Sequence, residues 1–164
     1  WSESRGLGDV YKRQGKILFK VHKKIIYAIE AVVDIALNSG PNPVQNESIA
    51  SRQGIPKRYL EQTLQILVKN KILVGSRGPK GGYSLAKERR RIKIADIIKS
   101  VSNEDSLINT FNSELSKKIV LPLINDISLE CLEKLNNISI EEVCRIAKTK
   151  KLKKEISKKV DFVI

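Results

Sequence analysis

Histidine occurs once in this 164-residue chain, methionine not at all, and cysteine only at Cys131 and Cys144. The one imidazole, His22, has no ligand residues around it, so neither a metal cluster nor a nucleophile–base pair can be drawn from motif. The two cysteines fit no zinc-ligand spacing. Both fall in helical patterns and read as a pair of buried, reduced thiols. No apolar run approaches the roughly 20 residues that a bilayer-spanning helix requires. No secretory signal is visible either, so the expectation is a cytoplasmic, nucleoid-associated protein without a membrane partner. The glycines between 78 and 82 lead into a strand pattern, whereas a phosphate-cradling loop leads into a helix. Together these absences argue against an enzyme.

Positive charge is what the chain has in excess. Lys and Arg number 31 against 18 Asp and Glu, a formal net charge of +13 and a pI near 9.8. Such a surface suits a polyanion, because Lys and Arg replace the counterions condensed on phosphate. Charge alone does not separate DNA, RNA and anionic membrane. The length suits one domain, with or without an appended helix. Residues 1–14, Trp1 to Gln14, show no periodicity and no continuity with the rest of the chain. Asp9-Val10-Tyr11-Lys12-Arg13-Gln14 resembles the translated end of a sequencing adapter, so this stretch is expected to be a non-native assembly scar, with the natural start near Leu18.

Helical periodicity begins at Lys23 and runs to Leu37, carried by Ile25, Ile26, Ile29, Val32, Val33 and Ala36. Gly40-Pro41-Asn42-Pro43 ends it. A short helix comes next, from about Gln45 or Asn46 to Gln53, with Ile49 and Ala50 inward and Asn46 the better cap. Gly54 stops that helix, and Pro56 suits the first turn of its successor. This third helix runs to about Asn70, with Leu60, Leu64, Leu67 and Val68 on one face and Lys57, Arg58, Glu61, Gln62, Gln65 and Lys69 on the other. Ala50, Gly54 and Leu60 then stand where a helix-turn-helix needs a small residue at the crossing, glycine in the turn and an apolar anchor on the second helix.

Two apolar runs, Ile72-Leu73-Val74 and Tyr83-Ser84-Leu85, flank Arg77-Gly78-Pro79-Lys80-Gly81-Gly82. Three glycines and a proline between such runs predict a tight hairpin whose tip carries Arg77 and Lys80. A basic hairpin beside a helix-turn-helix is the layout of a winged helix that holds DNA. Beyond it, Lys87 to Arg91 reads as a solvated connection, Ile92, Ile94, Ile97 and Ile98 as a strand-to-helix passage, and Asn103 to Ser106 as a polar break. Leu121, Ile124, Ile127, Leu129, Leu132 and Leu135 form an apolar stripe opened by Pro122, and Ser139-Ile140-Glu141-Glu142 has capping-box spacing. That stripe exceeds what a small head needs to cover itself, so burial between two copies is its natural use. The expected fold is mainly α: a winged helix-turn-helix domain over 15–101 with a small β-hairpin wing, then dimerisation helices and a lysine-rich tail over 102–164.

Tyr27-Ala28-Ile29-Glu30-Ala31, Ile49-Ala50, Arg52-Gln53-Gly54-Ile55-Pro56, Tyr59-Leu60-Glu61-Gln62 and the Arg77–Ala86 run resemble the Rrf2 winged-helix regulators, the family of IscR, NsrR and CymR. The match is tight over roughly 18–101 and looser beyond. The resemblance implies a homodimeric, sequence-specific transcriptional regulator, a repressor on a palindromic operator in double-stranded DNA, with the 57–70 helix in the major groove and the 77–83 wing in the minor groove. By position it implies base contacts from Tyr59, Glu61, Gln62 and Arg77. Their chemistry agrees: Glu61 can accept from cytosine N4, Gln62 can pair with adenine, and Arg77 suits a narrow minor groove. Lys57, Arg58 and Lys80 suit phosphate, which sets register rather than sequence. Several family members hold an iron–sulfur cluster through three close cysteines after the wing domain. The corresponding stretch here, about Val101 to Val120, has none, so no such cofactor is expected. The alternative is a winged-helix module that binds RNA or a protein partner; the acidic Glu61 on a cationic face weighs against it.

Overall fold

A computed structural model of the chain describes residues 21–102 and 110–150. The stretch read as an assembly scar, the polar break at Asn103–Ser106 and the tail beyond 150 lie outside the described residues. Helix α1 (Lys23–Asn38) is followed by α2 (Asn46–Gln53) and α3 (Lys57–Lys69). Strands β1 (Leu73–Ser76) and β2 (Gly82–Leu85) form an antiparallel hairpin in the register Leu73 to Leu85 and Ser76 to Gly82. A 3-10 turn at Arg89–Arg91 leads to α4 (Ile94–Val101). One π-helical turn, Ser116–Val120, runs into α5 (Leu121–Asn136), and α6 (Ile140–Thr149) closes the described chain. The mainly helical winged-helix architecture is as the sequence predicts.

Helix α1 is the centre of the core. Its small residues Ala28 and Ala31 are fully buried and let other helices approach, while Val32 and Ile35 fill the space between them. Against that face pack Ile49 of α2, Leu60, Leu64 and Leu67 of α3, Ile97 and Val101 of α4, and Ile140 and Cys144 of α6. The i, i+4, i+7 spacing of the three α3 leucines directs them inward and turns the intervening polar residues to solvent.

Helix α6 lies beyond the expected boundary at 101 yet shares this core. Ile140 donates its N–H to the Ile92 carbonyl at 2.9 Å, and Ile94 donates to the Ile138 carbonyl at 3.0 Å. Ser139 caps α6 by accepting from the Glu142 N–H at 3.2 Å. The Glu142 carboxylate faces Arg145 at 3.8 Å, one turn along the same helix.

The turn of the helix-turn-helix is set by its glycine. Gly54 sits at φ 66°, a left-handed position open to glycine without steric cost, and donates to the Ala50 carbonyl. Two local expectations are corrected. Gln45, not Asn46, precedes α2, because its extended backbone continues a two-way bridge between Val44 and Tyr83 and the helix starts only after that pairing ends. Pro56 stands just before α3 instead of within its first turn.

The Val44–Tyr83 bridge ties the wing to the body. Val44 donates to the Tyr83 carbonyl at 2.9 Å and Tyr83 returns a bond to Val44 at 2.8 Å. Gly82 makes the approach possible, since a Cβ there would meet the Val44 carbonyl carbon at 2.7 Å. Gly82→Ala is therefore expected to destabilise the fold by about 2 kcal/mol, in the range of overpacking against backbone. Thermal unfolding would measure the loss, and faster amide exchange at Val44 and Tyr83 would locate it.

One carboxylate is buried in this core. Asp34 of α1 is 1% exposed. Arg52 grips it as a fork, Nη2 to Oδ1 at 2.7 Å and Nε to Oδ2 at 3.0 Å, and Gln53 Nε2 donates to Oδ2 at 2.7 Å. A buried charge with a bidentate partner and a further donor is the arrangement that offsets desolvation. The hydrogen bond to Asp34 holds the Arg52 guanidinium above its ordinary pKa. The fork joins α1 to the last turn of α2, immediately before the Gly54 turn that sets the direction of α3.

Candidate nucleic-acid interface

The first turn of α2, the polar face of α3 and the wing enclose an open groove of about 720 Å³. Gln45, Glu47, Lys57, Glu61, Gln65 and Arg77 contribute to its lining. The wing is held over this groove by two adjacent residues of the segment before α2. Besides the Val44–Tyr83 bridge, Gln45 Nε2 donates to the Pro79 carbonyl at 3.4 Å. At the tip, Gly81 donates to the Gly78 carbonyl at 2.9 Å, closing the turn that carries Arg77 and Lys80.

Three of the residues marked in the sequence, Lys57, Glu61 and Arg77, meet in the groove. Arg58, Gln62 and Lys80 are exposed beside it, on α3 and the wing tip. No ion pair among the described residues engages Arg58, Arg77 or Lys80, so these cations face solvent. Tyr59 is placed differently. Its ring meets Tyr27 of α1 edge to face, centroids 5.5 Å apart at 79°, with 37% of the residue still exposed. That contact braces the start of α3 against α1.

Lys57 has a partner already. Its ammonium is hydrogen-bonded to the Glu47 carboxylate, which comes from the neighbouring helix. The bond to Glu47 and its charge raise the Lys57 pKa, with a smaller contribution from Glu61. Lys57 in turn holds the Glu47 carboxyl below the usual range. Sequence reasoning missed both Glu47 and Gln45. They stand ten or more positions from the groups they touch, across a turn, and no local periodicity signals such a pairing.

Comparison with known proteins decides the family. The family model described as "Rrf2: Iron-dependent Transcriptional regulator" matches residues 21–146. This chain belongs to the Rrf2 family. It is a DNA-binding transcriptional regulator, and its relatives are named regulators, a non-enzymatic class. The IscR regulator of Sodalis glossinidius (strain morsitans) is 34% identical over 121 residues, 71% of this chain and 73% of its own length. IscR of Cronobacter sakazakii is 44% identical over a shorter 75 residues, 46% of each. Among solved structures, T. potens IscR superposes with a TM-score of 0.68 at 31% identity, over 84% of this chain and 95% of that one. CymR of B. subtilis, described as its global cysteine regulator, reaches 0.59 at 25% identity over 78% and 98%.

The two thiols of this Rrf2 protein lie in different surroundings. Cys144 lies in the core of the head, where burial pushes its pKa up. Cys131 is on the exposed surface of α5, which corrects the expectation of two buried cysteines. The reason is that α5 buries no residue fully within the chain. Its apolar positions differ in burial. Leu121, Leu132 and Leu135 are half-buried, whereas Ile124, Ile127 and Leu129 are exposed, together with Ile119 and Leu123 from the same run. Among the described residues no three His, Cys, Asp or Glu side chains are grouped to hold a metal ion. No helix of the described residues is long and apolar enough to cross a membrane.

Proposed function

We propose that this Rrf2 protein is a homodimeric repressor of a palindromic operator, reading each half-site with α3 in the major groove and the wing in the flanking minor groove. The observation that carries this reading is the shared groove, in which an α3 face of polar side chains and an unpaired wing arginine point to the same open side. Glu61 and Gln62 read base edges, and Arg77 enters the minor groove, whose negative potential it complements. Tyr59 reaches a base or sugar edge with the part of its ring that Tyr27 leaves free. Arg58 and Lys80 contact phosphate, while Lys57, expected there from the sequence, has its ammonium held by Glu47. Repression results from occupancy, since a dimer spanning both half-sites blocks access to the promoter.

The dimer is carried by the exposed side of the Ser116–Asn136 helical run. Ile119, Leu123, Ile124 and Ile127 are uncovered there, and a second copy of the same face is self-complementary about a two-fold axis. The regulator works without an iron–sulfur cluster, because one of its two cysteines is committed to the core and a lone exposed thiol cannot ligate one.

Selection of genomic fragments by the purified protein, followed by sequencing, tests this. A sharp motif with a two-fold axis is the expected result; diffuse, salt-labile recovery or a preference for structured RNA would overturn the reading. On the selected operator, Arg77→Ala and Gln62→Ala are each expected to weaken binding about 10-fold or more, the cost of one good base contact. Unchanged affinity in both would remove these residues from the interface.

A further inference from the structure

We propose that Glu47 is an affinity-setting residue, which withholds the Lys57 ammonium from the DNA backbone and so lowers binding to every duplex, operator and non-operator alike. This rests on the groove being the DNA-facing side, as proposed above.

Glu47 stands in the first turn of α2 and Lys57 is the first residue of α3. Their side chains are hydrogen-bonded to each other across the helix-turn-helix, and both line the groove with Glu61 and Arg77. The pair is open to water, with 56% of the Lys57 side chain and 74% of the Glu47 side chain exposed. An ion pair this exposed adds little to folding stability. Its effect falls on the bound state instead.

A lysine that neutralises a phosphate releases condensed counterions, and that contribution is the same on every sequence. Lys57 has two options on DNA. If it stays with Glu47, it contributes no phosphate contact. If it leaves, an uncompensated carboxylate remains in a groove facing phosphates. Either way the backbone contribution falls, while the base-edge contacts of α3 and the wing are untouched. Affinity for every duplex therefore falls by a similar factor, and the ratio of specific to non-specific affinity is preserved. A chain with a net charge of +13 has reason for such restraint, because its general attraction to any duplex is already large.

The test compares the whole chain with its Glu47→Gln variant on two duplexes, the selected operator and a shuffled sequence of equal length, across a sodium chloride titration. Glu47→Gln is expected to bind both duplexes about 5- to 10-fold more tightly at low salt, with the log–log salt slope steeper by about one on each. The operator-to-shuffled ratio and the thermal midpoint should both stay where they were. Adding Lys57→Gln should abolish the gain, leaving the double variant equal to Lys57→Gln alone. An unchanged affinity and slope in Glu47→Gln on both duplexes would overturn the role of Glu47 and leave the DNA-reading face standing. A wild-type chain that does not discriminate the two duplexes would overturn the operator reading itself.

Discussion

Placing glutamates at Leu123 and Ile127 is expected to convert the proposed dimer to a monomer and to reduce operator affinity by about 100-fold or more. The two positions are one helical turn apart on α5, 58% and 40% exposed, and neither belongs to the core of the head. In a two-fold pairing each introduced carboxylate faces apolar side chains and its own symmetry mate, so desolvation and like-charge repulsion act together. The loss of affinity has a geometric origin. Two linked heads bind the second half-site at high effective concentration, an advantage of roughly 100- to 10,000-fold that a monomer forfeits. Sedimentation velocity and operator titration measure the two effects. Leu123→Gln with Ile127→Gln serves as the uncharged control and should weaken the dimer less. The head itself should melt as before, because its buried residues are untouched. A double-glutamate protein that still sediments as a dimer and binds the operator normally would move the dimer interface elsewhere.

The second large effect is expected at Arg52. Replacing it with alanine removes both bonds of the fork and leaves Asp34, 1% exposed, with the side-chain amides of Gln53 and Asn38 as its donors. Stripping one partner from a buried ion pair costs about 3 kcal/mol or more, mostly the desolvation of the charge left behind. For a domain of this size that corresponds to a fall in melting midpoint of roughly 10 °C. Arg52→Lys should recover only part, since an ammonium restores the charge and not the planar fork. Operator binding should fall together with stability, because the fork sets the angle between α1 and the turn that launches α3. A loss below about 0.5 kcal/mol would mean that water reaches Asp34 and takes the place of the guanidinium.

Much of the fold was legible because its signals are local. The leucines of α3 announce their own buried face, Gly54 marks a backbone conformation that other residues resist, and three glycines with a proline mark the hairpin between two short apolar runs. Ser139 capping α6 is equally local. The candidate site was legible in part for the same reason: Glu61, Gln62 and Arg77 are exposed where periodicity and turn chemistry put them. The misjudged positions depend on partners far along the chain. Gln45 stands at the start of α2, without a side-chain cap, because Val44 is occupied by Tyr83 of the wing. Cys131 was read as buried because helical spacing reports an apolar pattern without reporting what covers it.

Sequence alone determined the helix-turn-helix, the basic wing and the side chains they present, because each arises from contacts within a few residues. Tertiary structure decided the rest. It brought Arg52 to Asp34, Glu47 to Lys57 and Tyr59 to Tyr27, returned α6 to the core of the head, and left one side of α5 uncovered. Those outcomes depend on which helices cross and at what distance, and periodicity along a single helix carries no such information.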